Sequence, residues 1–268
     1  MKLQIVPART GLQWVKLGAR TFFRQPLAMA GLFFMFMATV SVLSLVPMVG
    51  TLLSLALAPA ATLGLMAATR EAQQGRFPMP STLISAFRGG AARTRAILVL
   101  GAMYAAGLML ALGVASLFAP EVAPVVDLPG GEVSPEMVRN MFTSPSLWVA
   151  MALCLPLFMA FWHAPALVHW HGVSPLKSLF FSFLACWSNK GAMLLYMLGW
   201  VGVFMLGGLL MSLLGVVLGG ADALSLVLYP IALLMASMFQ TSIWFSFRDS
   251  FVTDDGSPPD ALPAPEEP

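Results

Sequence analysis

Six stretches of this chain, residues 27–46, 49–69, 96–119, 147–168, 192–218 and 223–247, each run for twenty residues or more without one charged side chain. About 20 apolar residues of α-helix cross the roughly 30 Å hydrocarbon core of a bilayer. A charge at the centre of such a helix costs roughly 2.5–3.5 kcal/mol on the insertion scale. All 14 Lys and Arg and all 12 Asp and Glu lie outside the six stretches. The chain is 59% hydrophobic and 10% charged, with mean hydropathy +0.84; a soluble domain carries about 25% charge. Even a 300-residue globule buries only about 75% of what its open chain exposes, too little to hide this surface. A soluble enzyme, a disordered protein and a disulfide-stapled secreted domain are therefore excluded. Backbone in lipid must satisfy its own hydrogen bonds, so the stretches are predicted to be helices. The alternation of a membrane β-strand is absent. The reading is an all-α polytopic membrane protein: one transmembrane domain over residues 1–249, then a disordered, acidic, Pro-rich tail over 250–268.

The loops set the orientation. The N-terminal arm carries Lys2, Arg9, Lys16, Arg20 and Arg24 and no acid. This basic lead is too long, and the apolar run after it too extended, for a cleaved signal, so the first span is read as retained. The second loop carries Arg70, Arg76, Arg88, Arg93 and Arg95 against Glu71, the fourth has Lys177 and Lys190, and Arg248 follows the last span. The third loop reverses the balance, with Arg139 among Glu121, Asp127, Glu132 and Glu136. With both termini inside, thirteen of the fourteen basic residues face the cytoplasm, as the positive-inside rule requires. The expected location is a bacterial inner membrane, multi-pass, with cytoplasmic ends. The net charge of +2 is too mild to imply a nucleic-acid partner.

The chain also reads as a threefold repeat: a short amphipathic helix, then a hairpin of two spans. In the first lead-in, Arg9, Lys16, Arg20 and Arg24 fall within about 80° of one another at 100° per residue, with Leu12, Val15, Ala19, Phe22 and Phe23 opposite. The second lead-in is Ser81 to Arg88, with Leu83, Ile84 and Phe87. In the third, Ser174 is placed to cap, Pro175 suits the first turn, and Leu176, Leu179, Phe180, Phe183, Leu184 and Trp187 form an i, i+3, i+4, i+7 stripe ended by Asn189-Lys190-Gly191. Such helices belong in the cytoplasmic interface, where Lys16, Arg20, Arg24, Arg88, Arg93, Arg95 and Lys177 are candidate contacts to anionic lipid; ordinary anchoring and recognition of one lipid or protein both fit. Pro59, Pro165 and Pro230 interrupt the three return spans and are candidate kinks, because proline removes a backbone hydrogen bond. Small residues line the second span on two stripes, Gly50, Ser54, Ala58, Thr62 and Ala56, Ala60, Gly64, Ala68, and Gly215 and Gly219 form a GxxxG. Such spacing lets helices approach closely, within one chain or between copies.

Chemistry is sparse. Cys154 and Cys186 have no metal or redox spacing and read as small hydrophobes. His163, His169 and His171 diverge around a helix and have no carboxylate or thiol beside them in sequence to complete a metal shell. No HExxH, GxSxG, P-loop or CxxC occurs, and no carboxylate lies in a span to relay protons. No catalytic, cofactor or metal residue is therefore assigned.

Three segments carry a resemblance: Met1 to Phe34 (MKLQIVPARTGLQWVKLGARTFFRQPLAMAGLFF), Ala164 to Trp187 (APALVHWHGVSPLKSLFFSFLACW), and Phe245 to Asp249. Through them, residues 1 to about 250 resemble an uncharacterised family of six-span inner-membrane proteins from proteobacteria. The family implies structure and no activity. The layout is also similar to the membrane portion attached to some glycerophosphodiester phosphodiesterases, but this chain has no catalytic domain of that kind. The expected function is a non-enzymatic envelope component engaging membrane lipids, and a protein partner or a second copy; the alternative is a transporter or channel for a small or amphipathic solute. An alkaline phosphatase fusion after Gly131 is expected to be active, because that loop is assigned to the far side. A fusion active only as a cytoplasmic reporter contradicts the orientation.

Overall fold

The computed structural model describes residues 2–47, 49–119, 139–140, 142–217 and 221–252. The long helices are α2 (Pro26–Ser44), α3 (Gly50–Gln73), α4 (Ala91–Ser116), α5 (Pro145–Trp162) with its continuation α6 (Ala164–His171), α8 (Lys190–Val217) and α9 (Ala221–Ser250). Counting α5 and α6 as one crossing, six helices among the described residues are long and apolar enough to span a bilayer. The protein is an all-α, multi-pass membrane protein. Each pair of long helices follows a short element: α1 (Thr10–Arg24), a 3₁₀ helix η1 (Pro80–Phe87) and α7 (Pro175–Ser188). The three short elements differ in kind and length. The uncharged turn at Met48, most of the acidic loop 120–146, Gly219 of the GxxxG and the tail beyond Val252 lie outside the described residues.

Apolar side chains gain nothing by leaving lipid for other apolar side chains, so small residues and hydrogen bonds set the packing. Both small stripes of α3 find partners inside the chain. Gly50 receives the Leu43 carbonyl of α2, Gly64 receives the backbone of η1 at Leu83, and Gly101 of α4 sits on the Ala56 carbonyl. Pro59 lies inside α3 and Pro230 inside α9, and both helices run on through them.

Pro165 is different, because the helix breaks there. Proline has no N–H and its ring crowds the carbonyl four residues back. The Ser182 hydroxyl of α7 fills the gap: it accepts from the His163 amide at 2.9 Å and donates to the Met159 carbonyl at 2.8 Å. One hydroxyl thereby replaces a missing helical hydrogen bond. Gly172, at φ +64°, ends α6 in the left-handed conformation that glycine adopts at least cost.

The short elements show which of their faces turn inward, and the expected Ser174 cap needs correction. The apolar stripe of α7 points outward, with Leu176, Phe180, Leu184 and Trp187 exposed, while Ser178, Ser182, Ala185 and Cys186 face in. Ser174 makes no side-chain cap; its carbonyl accepts from the Ser178 amide at 2.9 Å. The buried face of α1 is Gly11, Trp14, Gly18, Thr21 and Phe22, while Leu12 and Phe23 are exposed. This helix packs on α8 and α9, close enough that a Cβ on Gly11 would overlap the Ala192 carbonyl and one on Gly18 would overlap Ser242. In η1, Thr82 and Ala86 are buried and Ile84 and Phe87 exposed, and the Thr82 hydroxyl donates to Glu71 at 3.1 Å.

The tail boundary at residue 250 also moves. Ser250 ends α9, and Phe251–Val252 (β2) pairs antiparallel with Lys2–Leu3 (β1), Lys2 opposite Val252. Phe251 is 1% exposed, and its burial anchors these residues. The Asn189 side chain clasps the same arm, accepting from the Val6 amide at 2.8 Å and donating to the Gln4 carbonyl at 3.0 Å. The two ends of the helical bundle's chain therefore meet at one end of the molecule.

Gly11→Leu is expected to lower the melting temperature in detergent micelles, since overpacking a close helix contact costs about 1–3 kcal/mol. Gln13→Leu, at an exposed position of the same helix, is expected to change it little. Equal melting of Gly11→Leu and the unaltered protein contradicts the close approach.

Candidate functional site

Three places gather functional groups, and the first is the helix break. His163 is fully buried. Its Nε2 lies 3.1 Å from the Ser246 hydroxyl of α9, which donates to the Ile243 carbonyl at 2.7 Å and also accepts from Trp162 Nε1 at 3.1 Å. The serine proton is thus committed, so the imidazole must be the donor in this pair. Phe247 and Phe251 close the ring on its other sides. An imidazole beside a hydroxyl invites a nucleophilic reading, but with no exposed edge and no free serine proton it ties α5 and α6 to α9. Cys186 of α7 donates to the Met159 carbonyl at 3.6 Å, and burial pushes its thiol up to about 12. His169 and His171 lie farther along α6, and no group of three metal-ligating side chains occurs among the described residues.

The second place is a partly open cavity of about 170 Å³ lined by α3, α4, α5 and α9. Pro59 and Thr62 border it from α3, Tyr104 from α4, Phe158 and Trp162 from α5, and Gln240 from α9. The Gln240 Oε1 is buried with no hydrogen-bond partner among the described residues. The three candidate kink prolines do not converge here. Pro59 borders the cavity, Pro165 is buried at the helix break, and Pro230 is exposed. Sequence reasoning missed Thr62, Tyr104 and Gln240 as a group. One signal was present: Gln240 is the sole Asn or Gln in the six apolar stretches.

The third place is the basic rim. Lys16, Arg20 and Arg24 on α1, Arg88 after η1, Arg93 and Arg95 in the first turns of α4, and Lys177 on α7 are all exposed. Exposed aromatic side chains accompany them, Phe23 on α1, Phe87 on η1, and Phe180 and Trp187 on α7. Arg93 and His169 meet over Gly89, each with an atom about 3 Å from where a Gly89 side chain would begin. Arg70 lies over the Trp170 ring at 6.0 Å and Lys190 over Trp187 at 5.6 Å. Two of the nearest cations are thus held by aromatic faces.

A thiol held near 12 is protonated at neutral pH. Because the folded value lies above the ordinary 9.0, an unfolded chain loses this proton first, and folded stability falls as pH rises from about 9 toward 12. In a Cys154→Ala background, Cys186 is expected to resist maleimide at pH 8 until the protein is unfolded. Cys186→Ala is expected to shallow the alkaline loss of stability. Rapid labelling of the folded protein contradicts this burial.

Over 262 residues the chain is 32% identical to a probable inner membrane protein of Burkholderia thailandensis, covering 96% of this chain and 97% of that protein. No protein-family model matches the chain, and no solved structure does. With identity at that level over nearly the whole of both chains, this protein belongs to the family of that inner membrane protein.

Proposed function

We propose that this member of an inner-membrane family is a non-enzymatic envelope component of the bacterial inner membrane that engages anionic lipid through its basic rim, with both termini in the cytoplasm. The observation that carries the reading is the rim itself: Lys16, Arg20, Arg24, Arg88, Arg93, Arg95 and Lys177 are all exposed, on or beside the three short elements. Each Lys or Arg near an anionic surface contributes about 1 kcal/mol, attenuated by salt. The exposed indole of Trp187 has the amphipathic character of side chains that settle at headgroup depth, and the exposed rings of Phe23 and Phe87 supply apolar surface beside the basic residues. A protein partner with an acidic surface would use the same charges. The reading without enzymatic activity rests on chemistry: the hydroxyl–imidazole pair of Ser246 and His163 is sealed from substrate.

Passage of a solute along kinked helices has narrower support, since of Pro59, Pro165 and Pro230 only Pro59 borders a cavity.

Replacing Arg88, Arg93 and Arg95 together by Gln is expected to weaken retention of anionic lipid during purification in native-lipid particles. Each substitution is worth about fivefold, the ratio for roughly 1 kcal/mol. Native mass spectrometry reads the bound lipid. Unchanged anionic-lipid retention, in a variant that melts like the unaltered protein, contradicts the proposal.

A further inference from the structure

The cavity beside Pro59 lies deep in the membrane. At 1.5 Å per helical residue, Pro59 is about 14 Å from the start of α3 at Gly50, and Phe158 is about 20 Å from the start of α5 at Pro145. Gln240 is about 15 Å from the end of α9. In a hydrocarbon core of about 30 Å, these residues sit near the middle. Polar side chains at that depth are costly and mark functional sites. Gln240 carries the sole carboxamide of the six apolar stretches. Its carbonyl oxygen is buried without a partner among the described residues, at the wall of an open space. Proline at 59 also leaves the Leu55 carbonyl without its helical amide. The hydroxyl-bearing side chains of Thr62 and Tyr104 line the same space.

The occupant's chemistry follows from the walls. Among the described residues no Lys, Arg, Asp, Glu or His lines the cavity, so a charged molecule would go uncompensated. Most of the lining is aromatic or aliphatic. The volume, about 170 Å³, is close to the roughly 150 Å³ of an engineered apolar cavity that takes benzene. The unmet group is an acceptor, so the occupant must bring a donor.

We propose that the space between α3, α4, α5 and α9 is a mid-membrane binding site for a neutral molecule of ring or short-alkyl size bearing one hydroxyl, whose proton the Gln240 Oε1 accepts. The site stands apart from the basic rim and does not depend on lipid binding there. Its ligand enters from the hydrocarbon phase, where neutral alcohols partition, and the Gln240 carbonyl selects it from plain alkane.

The test uses the full chain in lipid nanodiscs, photolabelled with a diazirine-bearing hexanol and with the matching diazirine-bearing hexane. Labelled positions are mapped by peptide mass spectrometry. The hexanol is expected to label α5 around Phe158 and α9 around Gln240 saturably, with competition by unlabelled hexanol. It is expected to outcompete the hexane probe about fivefold, the ratio for one neutral hydrogen bond. Gln240→Leu is expected to abolish that preference while keeping hexane labelling, and to melt no lower than the unaltered protein because it removes an unmet polar group. Gln240→Met serves as a second apolar variant should leucine not fold. Ala58→Leu is expected to fill the space and reduce labelling by both probes. Labelling that does not saturate, that falls equally on the exposed face of α8, or that keeps its alcohol preference in Gln240→Leu or Gln240→Met overturns the proposal.

Discussion

Lipid as solvent reverses the usual logic of helix packing, and everything else in this molecule depends on that reversal. In water, most bulky apolar side chains would turn inward. Here many are left on the outer surface, and the inward faces of α3 and α7 carry glycine, alanine, serine and threonine beside large buried rings such as Trp14 and Trp244; the small residues permit close backbone approach and supply hydrogen bonds. On α8, Met205, Leu206, Leu209, Leu210 and Leu213 are all more than half exposed. On α7, one face presents Leu176, Phe180 and Trp187 outward, and the other seats Ser178, Ser182 and Cys186 against the broken helix.

The inward polar groups gather on the last third of α9. Ser242 accepts from Trp200 Nε1 at 3.1 Å and meets the Tyr196 hydroxyl at 2.6 Å, while Ser246 accepts from Trp162. Trp244 donates to Gln73 of α3 at 2.9 Å, and Trp14 of α1 donates to Asp249 at 2.9 Å. Four indole N–H groups thus tie α1, α3, α5 and α8 to one helix end. Each couples a large apolar body to a directional bond that lipid cannot replace. Gln240 lies one residue before this segment, and its carbonyl oxygen has no hydrogen-bond partner among the described residues.

The sequence showed the crossings clearly, because a forbidden charge leaves a plain trace over twenty residues. It showed less of what holds them together. The bridge from Ser182 to the 159–163 gap, the Asn189 clasp on Gln4 and Val6, and the β1–β2 pair join residues 19 to roughly 250 positions apart, and no local pattern signals them. Helical periodicity located the third lead-in well but could not say which face turns inward, since in lipid the bulky face need not. Gly11 and Gly18, seven apart on α1, were legible as a small-residue face and were outweighed by the neighbouring aromatics. In η1 a helical apolar pattern gave way to a 3₁₀ turn whose backbone at Leu83 rests on Gly64. At the cavity, a single carboxamide in an apolar stretch was visible, while its three neighbouring helices were not.

The exposed apolar surface is solvated by hydrocarbon. Spin labels at Leu206 and Leu209 of α8, both 58% exposed, test it in reconstituted bilayers. Collisions with dissolved oxygen should be frequent and collisions with a water-soluble nickel chelate rare, in contrast to a label at Lys2. Equal access of the nickel chelate to all three positions would contradict the claim.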